Sequence, residues 1–151
     1  MKNPQNELIQ EFAELCRSVG WKFTPARFAV WRYLRGNTEH PVVDRVWENV
    51  KLELPRISRE SVFRILSDFA ERGLIAMMDR PNVLARFDAN PKRHDHFYCS
   101  KCGRVYDFEI ENLETLLPEA AVKIGSVEHV ETRIRGVCRE CLQTAEKQEV
   151  A

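Results

Sequence analysis

Residues 58–88 read SRESVFRILSDFAERGLIAMMDRPNVLARFD, and a change of period inside that stretch decides the architecture. Val62, Ile65, Leu66 and Phe69 recur at three- and four-residue spacing, Ser58 is placed to cap the first turn and Gly73 to close the last, which predicts a helix. Residues 74–78 and 83–87 then read as two strands around a turn at Arg80-Pro81-Asn82, a β-hairpin. Upstream, Pro41 precedes a helix carrying Val43, Val46, Trp47, Val50 and Leu54, halted by Pro55. Thr24-Pro25, an N-cap with proline in the first turn, opens another through Phe28, Val30, Trp31 and Leu34 before Gly36. Leu8, Ile9, Phe12, Leu15, Cys16 and Val19 mark a first helix ended by Gly20. Helices closed by a hairpin predict a winged helix-turn-helix, with the helix of residues 59–72 lying in a DNA major groove. Arg59 stands in its first turn, Arg64 faces a base or phosphate, Ser61 a phosphate and Phe63 a thymine methyl, while Arg80 at the wing tip reaches backbone or minor groove. Three arginines on a helix usually make only a solvated face; the pattern around them turns the reading to DNA.

Downstream, the polar run Ala89-Asn90-Pro91-Lys92-Arg93 reads as a hinge, residues 89–93, between a DNA-binding domain, residues 1–88, and a second domain, residues 94–151. Residues 97–99 and 105–109 are expected as strands, Leu113, Leu116, Leu117 and Ala121 mark a helix, residues 127–137 a strand, and the segment from Arg139 a terminal helix. The fold class is therefore α+β, and sheet edges in so small a unit commonly pair across a dimer axis.

Two C-x-x-C pairs, Cys99/Cys102 and Cys138/Cys141, have 35 residues between them in that second domain. Four thiolates suit a tetrahedral zinc ion in a closed, structural role, while two disulfides or a redox pair are the competing readings. Cys16 is left over on the apolar side of the first helix, where a buried inert thiol is expected. His94 and His96 are two apart, so on an extended segment both rings project to one face and Asp95 points away. His40, Asp88 and Asp107 join them as candidate ligands only if the fold brings them near.

Composition sets outer limits. At 151 residues and 44 % hydrophobic, the chain suffices for one domain or two small ones, the smaller needing a staple such as zinc. There is no apolar run of membrane-spanning length and no secretory pattern at the start, so a cytoplasmic location with reduced thiols is expected. Net charge is zero, and residues 1–91, with 14 basic and 12 acidic side chains, are only slightly positive, so local placement must carry a DNA reading.

Several runs together resemble one family: Gly20-Trp-Lys-Phe-Thr-Pro-Ala-Arg27, His40-Pro41, Ile57-Ser-Arg-Glu-Ser-Val-Phe-Arg64, Gly73-Leu-Ile75, Arg86-Phe-Asp88, His94-Asp-His96, Cys99-Ser-Lys-Cys-Gly103, Asp107-Phe108 and Gly136-Val-Cys-Arg-Glu-Cys141. Across nearly its whole length the chain resembles the ferric uptake regulator (Fur) family of bacterial metal-dependent repressors. The resemblance implies an N-terminal winged helix, a C-terminal α/β dimerisation domain and structural Zn²⁺ on Cys99, Cys102, Cys138 and Cys141. It also implies a regulatory site of His40, Asp88, His94, His96 and Asp107, whose N/O donors suit Fe²⁺ or Mn²⁺. Aspartate at both the Asp88 and Asp107 positions is similar to the peroxide-sensing PerR branch, in which bound iron reduces peroxide and a ligand histidine, His40 or His94 here, is oxidised. The expected partners are a second copy of the chain and double-stranded DNA carrying an A/T-rich inverted repeat, with no membrane.

Some positions depart from the family pattern. Phe63 stands for a usual tyrosine, Ser61 for threonine and Glu60 for alanine. A further metal site found in some members needs a histidine where this chain has Val130; His129 is out of phase with Glu114, and Arg93 replaces another histidine, so that site is expected to be absent or weak. The rival to peroxide sensing is an iron- or manganese-responsive uptake repressor released by metal loss. A zinc hydrolase or thiol oxidoreductase is a more distant reading: a nucleobase deaminase would need H-x-E where the chain has His94-Asp95-His96.

Overall fold

A computed structural model describes residues 4–80, 83–90, 92–112, 117–128, 130 and 132–149, with side chains for all of these but 79, 80, 83 and 145–149. The chain divides into two compact units, Met1–Pro91 and Lys92–Ala151.

In the first unit, α1 (Pro4–Ser18), α2 (Pro25–Leu34), α3 (Val43–Val50) and α4 (Arg59–Glu71) precede β1 (Ala76–Arg80) and β2 (Val83–Asp88), an antiparallel pair. The helix starts follow from their caps. Thr24 accepts the Arg27 N–H at 3.2 Å ahead of Pro25, and Ser58 Oγ accepts the Ser61 N–H at 3.0 Å, each satisfying an amide the helix itself cannot pair. Val62, Leu66 and Phe69 place α4 on the core, where they meet Phe12, Val30, Leu34, Val46, Val50 and Phe87. Full burial of each contributes about 1.5–3 kcal/mol. At the far end Gly73 adopts φ +70°, which lets the Leu74 N–H close back on the Phe69 carbonyl at 2.9 Å. Helix α3 stops at Val50, short of the expected Leu54. Residues 51–53 form turns ahead of Pro55, which disfavours helical backbone at the residue before it.

The second unit holds β3 (Asp95–Cys99), β4 (Val105–Phe108), α5 (Glu119–Ile124), β5 (Arg133–Gly136) and α6 (Arg139–Glu149). Its sheet runs β4-β3-β5, with β3 antiparallel to β4 and parallel to β5. The strand expected over residues 127–137 is only four residues long. Its pairing with β3 runs from His96 opposite Arg133 to Cys99 opposite Gly136, so the short central strand sets its length. The expected helix begins at Glu119, after Pro118, whose fixed φ suits a helix start. Leu117 precedes it, and Leu113 and Leu116 lie outside the described residues. The fold is α+β, a winged helix followed by a small α/β unit.

Candidate metal centre and nucleic-acid interface

Cys99 ends β3, Cys102 follows in the turn towards β4, Cys138 precedes α6 and Cys141 lies in its first turn. Their four sulfurs lie within 4.8 Å of one another, with Cys99 and Cys141 4.0 Å apart and Cys102 and Cys138 3.8 Å apart. A tetrahedron of sulfurs about 2.3 Å from a zinc ion has edges of about 3.8 Å, so the cage fits Zn²⁺. All five cysteines are free, and the sulfurs of the two C-x-x-C pairs approach one another across the pairs as well as within them, as a shared ion requires. Gly103, at φ +71°, makes the knuckle turn possible. The N–H groups of Cys102 and Cys138, 3.4 and 3.3 Å from the Cys99 sulfur, hold that thiol down to about 6. The Cys138 side chain, with burial, pushes Cys141 up to about 12. Four thiolates this close cannot all carry charge without a cation among them.

The other candidate ligands form one cluster in each unit. In the first, His40 takes a positive φ of 50°, uncommon for a side-chain-bearing residue. Strand β2 pins its loop: Arg86 donates to the His40 carbonyl at 2.9 Å, the Phe87 N–H to the Pro41 carbonyl at 3.0 Å, and Val42 bridges Arg86. Asp88, the last residue of β2, thereby comes to 3.7 Å from His40 Nε2, and both residues are buried. The Asn90 N–H donates to Asp88 Oδ1 at 2.8 Å and steadies the carboxylate.

In the second unit, His96 sits in β3 directly across from Asp107 on β4, with His94 just before the strand. The two rings lie 4.6 Å apart at 80°, and their Nε2 atoms stand 3.6 and 3.8 Å from Asp107 Oδ1. His94 Nδ1 lies 2.5 Å from the Lys92 carbonyl. A carbonyl only accepts, so Nδ1 carries the proton and the Nε2 lone pair is left for an ion. Asp95 turns to the opposite face, where its Oδ1 accepts the Thr132 N–H at 2.9 Å. In both clusters the donor separations exceed a hydrogen bond, yet lie inside the roughly 4.2 Å that two donors about 2.1 Å from a common ion can span. Each cluster joins imidazole to carboxylate, the chemistry that suits Fe²⁺ or Mn²⁺ over a soft ion.

The outer face of α4 carries the expected nucleic-acid residues. Phe63 is 42 % exposed. Arg64 pairs with Glu60 one turn earlier, Arg59 with Asp44 of α3, and the Ser61 hydroxyl lies 2.8 Å from that of the cap residue Ser58. Arg80 ends β1, and its side chain lies outside the described residues, as do Pro81 and Asn82 of the expected wing turn.

A model of the Ferric uptake regulator family matches residues 18–135. The chain belongs to that family. It is 32 % identical, over 93 % of its length and 94 % of the relative's, to the peroxide-responsive repressor PerR of Staphylococcus epidermidis. Among solved structures, it superposes on the ferric uptake regulator Fur of Helicobacter pylori with a TM-score of 0.76 at 20 % identity, covering 94 % of this chain and 97 % of that one. On the peroxide stress regulator of Campylobacter jejuni the score is 0.65 at 25 % identity, covering 89 % and 98 %. Fur-family proteins are dimeric DNA-binding repressors. The chain is accordingly a metal-responsive transcription regulator, and the hydrolase and oxidoreductase readings fall away. No helix among the described residues is long and apolar enough to cross a membrane.

Several residues that shape this Fur-family site escape a reading of the sequence. Asp44, Asn90 and the Lys92 carbonyl act through contacts that neither period nor spacing encodes. Arg86 stands inside a family run, but its hold on the His40 carbonyl depends on β2 crossing that loop. Of the positions bearing on a further metal site, Val130 is apolar, and Glu114 and His129 lie outside the described residues.

Proposed function

We propose that this Fur-family chain is a homodimeric repressor that binds A/T-rich inverted-repeat operators when Fe²⁺ or Mn²⁺ is bound, and that peroxide releases it. The ion would be held by His40 and Asp88 of the first unit together with His94, His96 and Asp107 of the second. The observation that carries the reading is the arrangement of the second cluster: two imidazole nitrogens aimed at one Asp107 oxygen, with the His94 tautomer fixed by the Lys92 carbonyl. Relatedness to a peroxide-responsive repressor over almost the full chain supports the choice of stimulus. Ferrous iron, when bound, supplies the electrons that reduce peroxide, and the imidazole that takes up oxygen is His40 or His94.

Ligands drawn from both units make occupancy and domain arrangement interdependent. An ion then shifts the population towards the DNA-binding arrangement by no more than its difference in affinity for the two states. For pairing with a second copy, β5 is an edge strand of the sheet, and Ile134 on it and Leu142 on α6 are exposed apolar residues. DNA contacts are assigned to Arg59, Ser61, Phe63, Arg64 and Arg80.

The test is to load the zinc-containing protein with Fe²⁺ without oxygen, add a small excess of H₂O₂, and follow operator binding and peptide masses together. Added oxygen on His40 or His94 with loss of DNA is the expected result. An unmodified protein still on its operator would make it a repressor of metal uptake, released by metal loss.

A further inference from the structure

Arg59 and Arg64 are both paired with carboxylates, but in different ways. Arg64 meets Glu60 one helical turn away through a single nitrogen, and the two side chains are 75 % and 71 % exposed, a solvated pair of little energetic weight. Arg59 reaches from the first turn of α4 to Asp44 on α3. Its Nε contacts one carboxylate oxygen and its Nη2 lies 3.2 Å from the other, with the side chains 47 % and 40 % exposed. That two-pronged pairing fixes the guanidinium plane, and the Arg59 guanidinium holds the Asp44 carboxyl below the usual carboxylate range. Only the Nε/Nη2 edge is used. The other edge, Nη1 with the second Nη2 hydrogen, has no hydrogen bond among the described residues and belongs to the N-terminal turn of the helix that enters the groove.

We infer that Asp44 is a positioning residue that presents the outer edge of Arg59 to a guanine in the operator, Nη1 and Nη2 donating to O6 and N7. This rests on the reading of α4 as the helix that enters the major groove. Two parallel donors in a fixed plane match the two acceptors that guanine alone shows side by side there. A guanidinium already immobilised by Asp44 loses less side-chain freedom on binding, so the pairing strengthens discrimination rather than competing with it. Asp44 is the second residue of α3 and lies four residues after His40, so the loop that carries a proposed metal ligand leads directly into the helix that sets the angle of Arg59. Phe63 and Leu84 line the same groove as Arg59 and make its wall apolar there.

The test uses the full chain with its zinc in place and Mn²⁺ added, first to select duplexes from a random library and then to measure affinity for the enriched repeat with each guanine replaced in turn by 7-deazaguanine, which lacks N7. Wild type is expected to lose about tenfold at one symmetry-related pair of guanines. Arg59→Ala should be indifferent to that replacement. Asp44→Asn, the same size and uncharged, should retain zinc and melt as wild type does, yet discriminate by less than about threefold. Arg59→Lys, which keeps charge but lacks the fork, should lose discrimination as Arg59→Ala does. Full discrimination by Asp44→Asn would overturn the proposal and leave Asp44 a fastener between α3 and α4. A guanine requirement that survives Arg59→Ala, or no such requirement in wild type, would overturn it as well. Failure of wild type to enrich any duplex would instead remove the DNA reading beneath it.

Discussion

His94 illustrates how much one side chain must satisfy in this fold. Its Nδ1 is committed to the Lys92 carbonyl and its Nε2 is aimed at Asp107, so the ring is oriented before any ion arrives. Replacing it should cost metal response without touching the thiolate cage, whose four sulfurs come from the end of β3, the turn after it and the start of α6. His94→Ala is therefore expected to retain one zinc per chain and to remain dimeric, while losing the dependence of DNA binding on Mn²⁺. Zinc analysis and sedimentation alongside a metal-titrated binding assay check this, and a monomeric His94→Ala would break the division between the two centres. His40 takes its place beside Asp88 through an uncommon backbone conformation, φ 50°, which Arg86 secures by donating to its carbonyl. Such strain persists where the surroundings over-determine it, as they do here.

At the scale of elements, α4 carries both core residues and the proposed DNA face. Leu66 is fully buried beside Val62 and Phe69, so Leu66→Ala should destabilise the first unit by about 2–5 kcal/mol, read from denaturant unfolding followed by tryptophan fluorescence. An effect under about 1 kcal/mol, typical of surface positions, would show that α4 is not packed as described. This helix was legible in the sequence from its cap, its period and its terminating glycine, because all three act within a few residues. The same holds for α2, whose Thr24-Pro25 start is read directly. The second unit was less legible. The length of β5 is set by the five-residue β3 it pairs with, and the start of α5 by Pro118, so the apolar residues of 113–137 marked neither boundary. The cysteine cage was readable from spacing because a C-x-x-C knuckle is local. Bringing His40 to Asp88 required β2 to cross the His40 loop, a contact between distant residues that periodicity does not encode. The pairing of Asp44 with Arg59 escaped for the same reason.

At the scale of the molecule, the two units rest on different forces. The first has a continuous apolar core, whereas the buried apolar residues described in the second are few, Tyr98, Cys99, Val105 and Cys138. The zinc cage then supplies much of the second unit's stability, and without the ion clustered thiolates would repel. All three tryptophans, Trp21, Trp31 and Trp47, belong to the first unit. Stripping zinc with a strong chelator is thus expected to unfold the second unit and dissociate the dimer, with tryptophan emission unchanged; a red shift on chelation would show that the first unit depends on the metal too. The measurement that bears most directly on the proposed function is a calorimetric titration of Mn²⁺ into zinc-loaded wild type, His40→Ala and His94→Ala. One Mn²⁺ per chain is expected in wild type and loss of that binding in either variant, with zinc retained in both. Undiminished binding in His40→Ala would contradict it, because the site would then belong to the second unit alone and could not link metal to DNA through both.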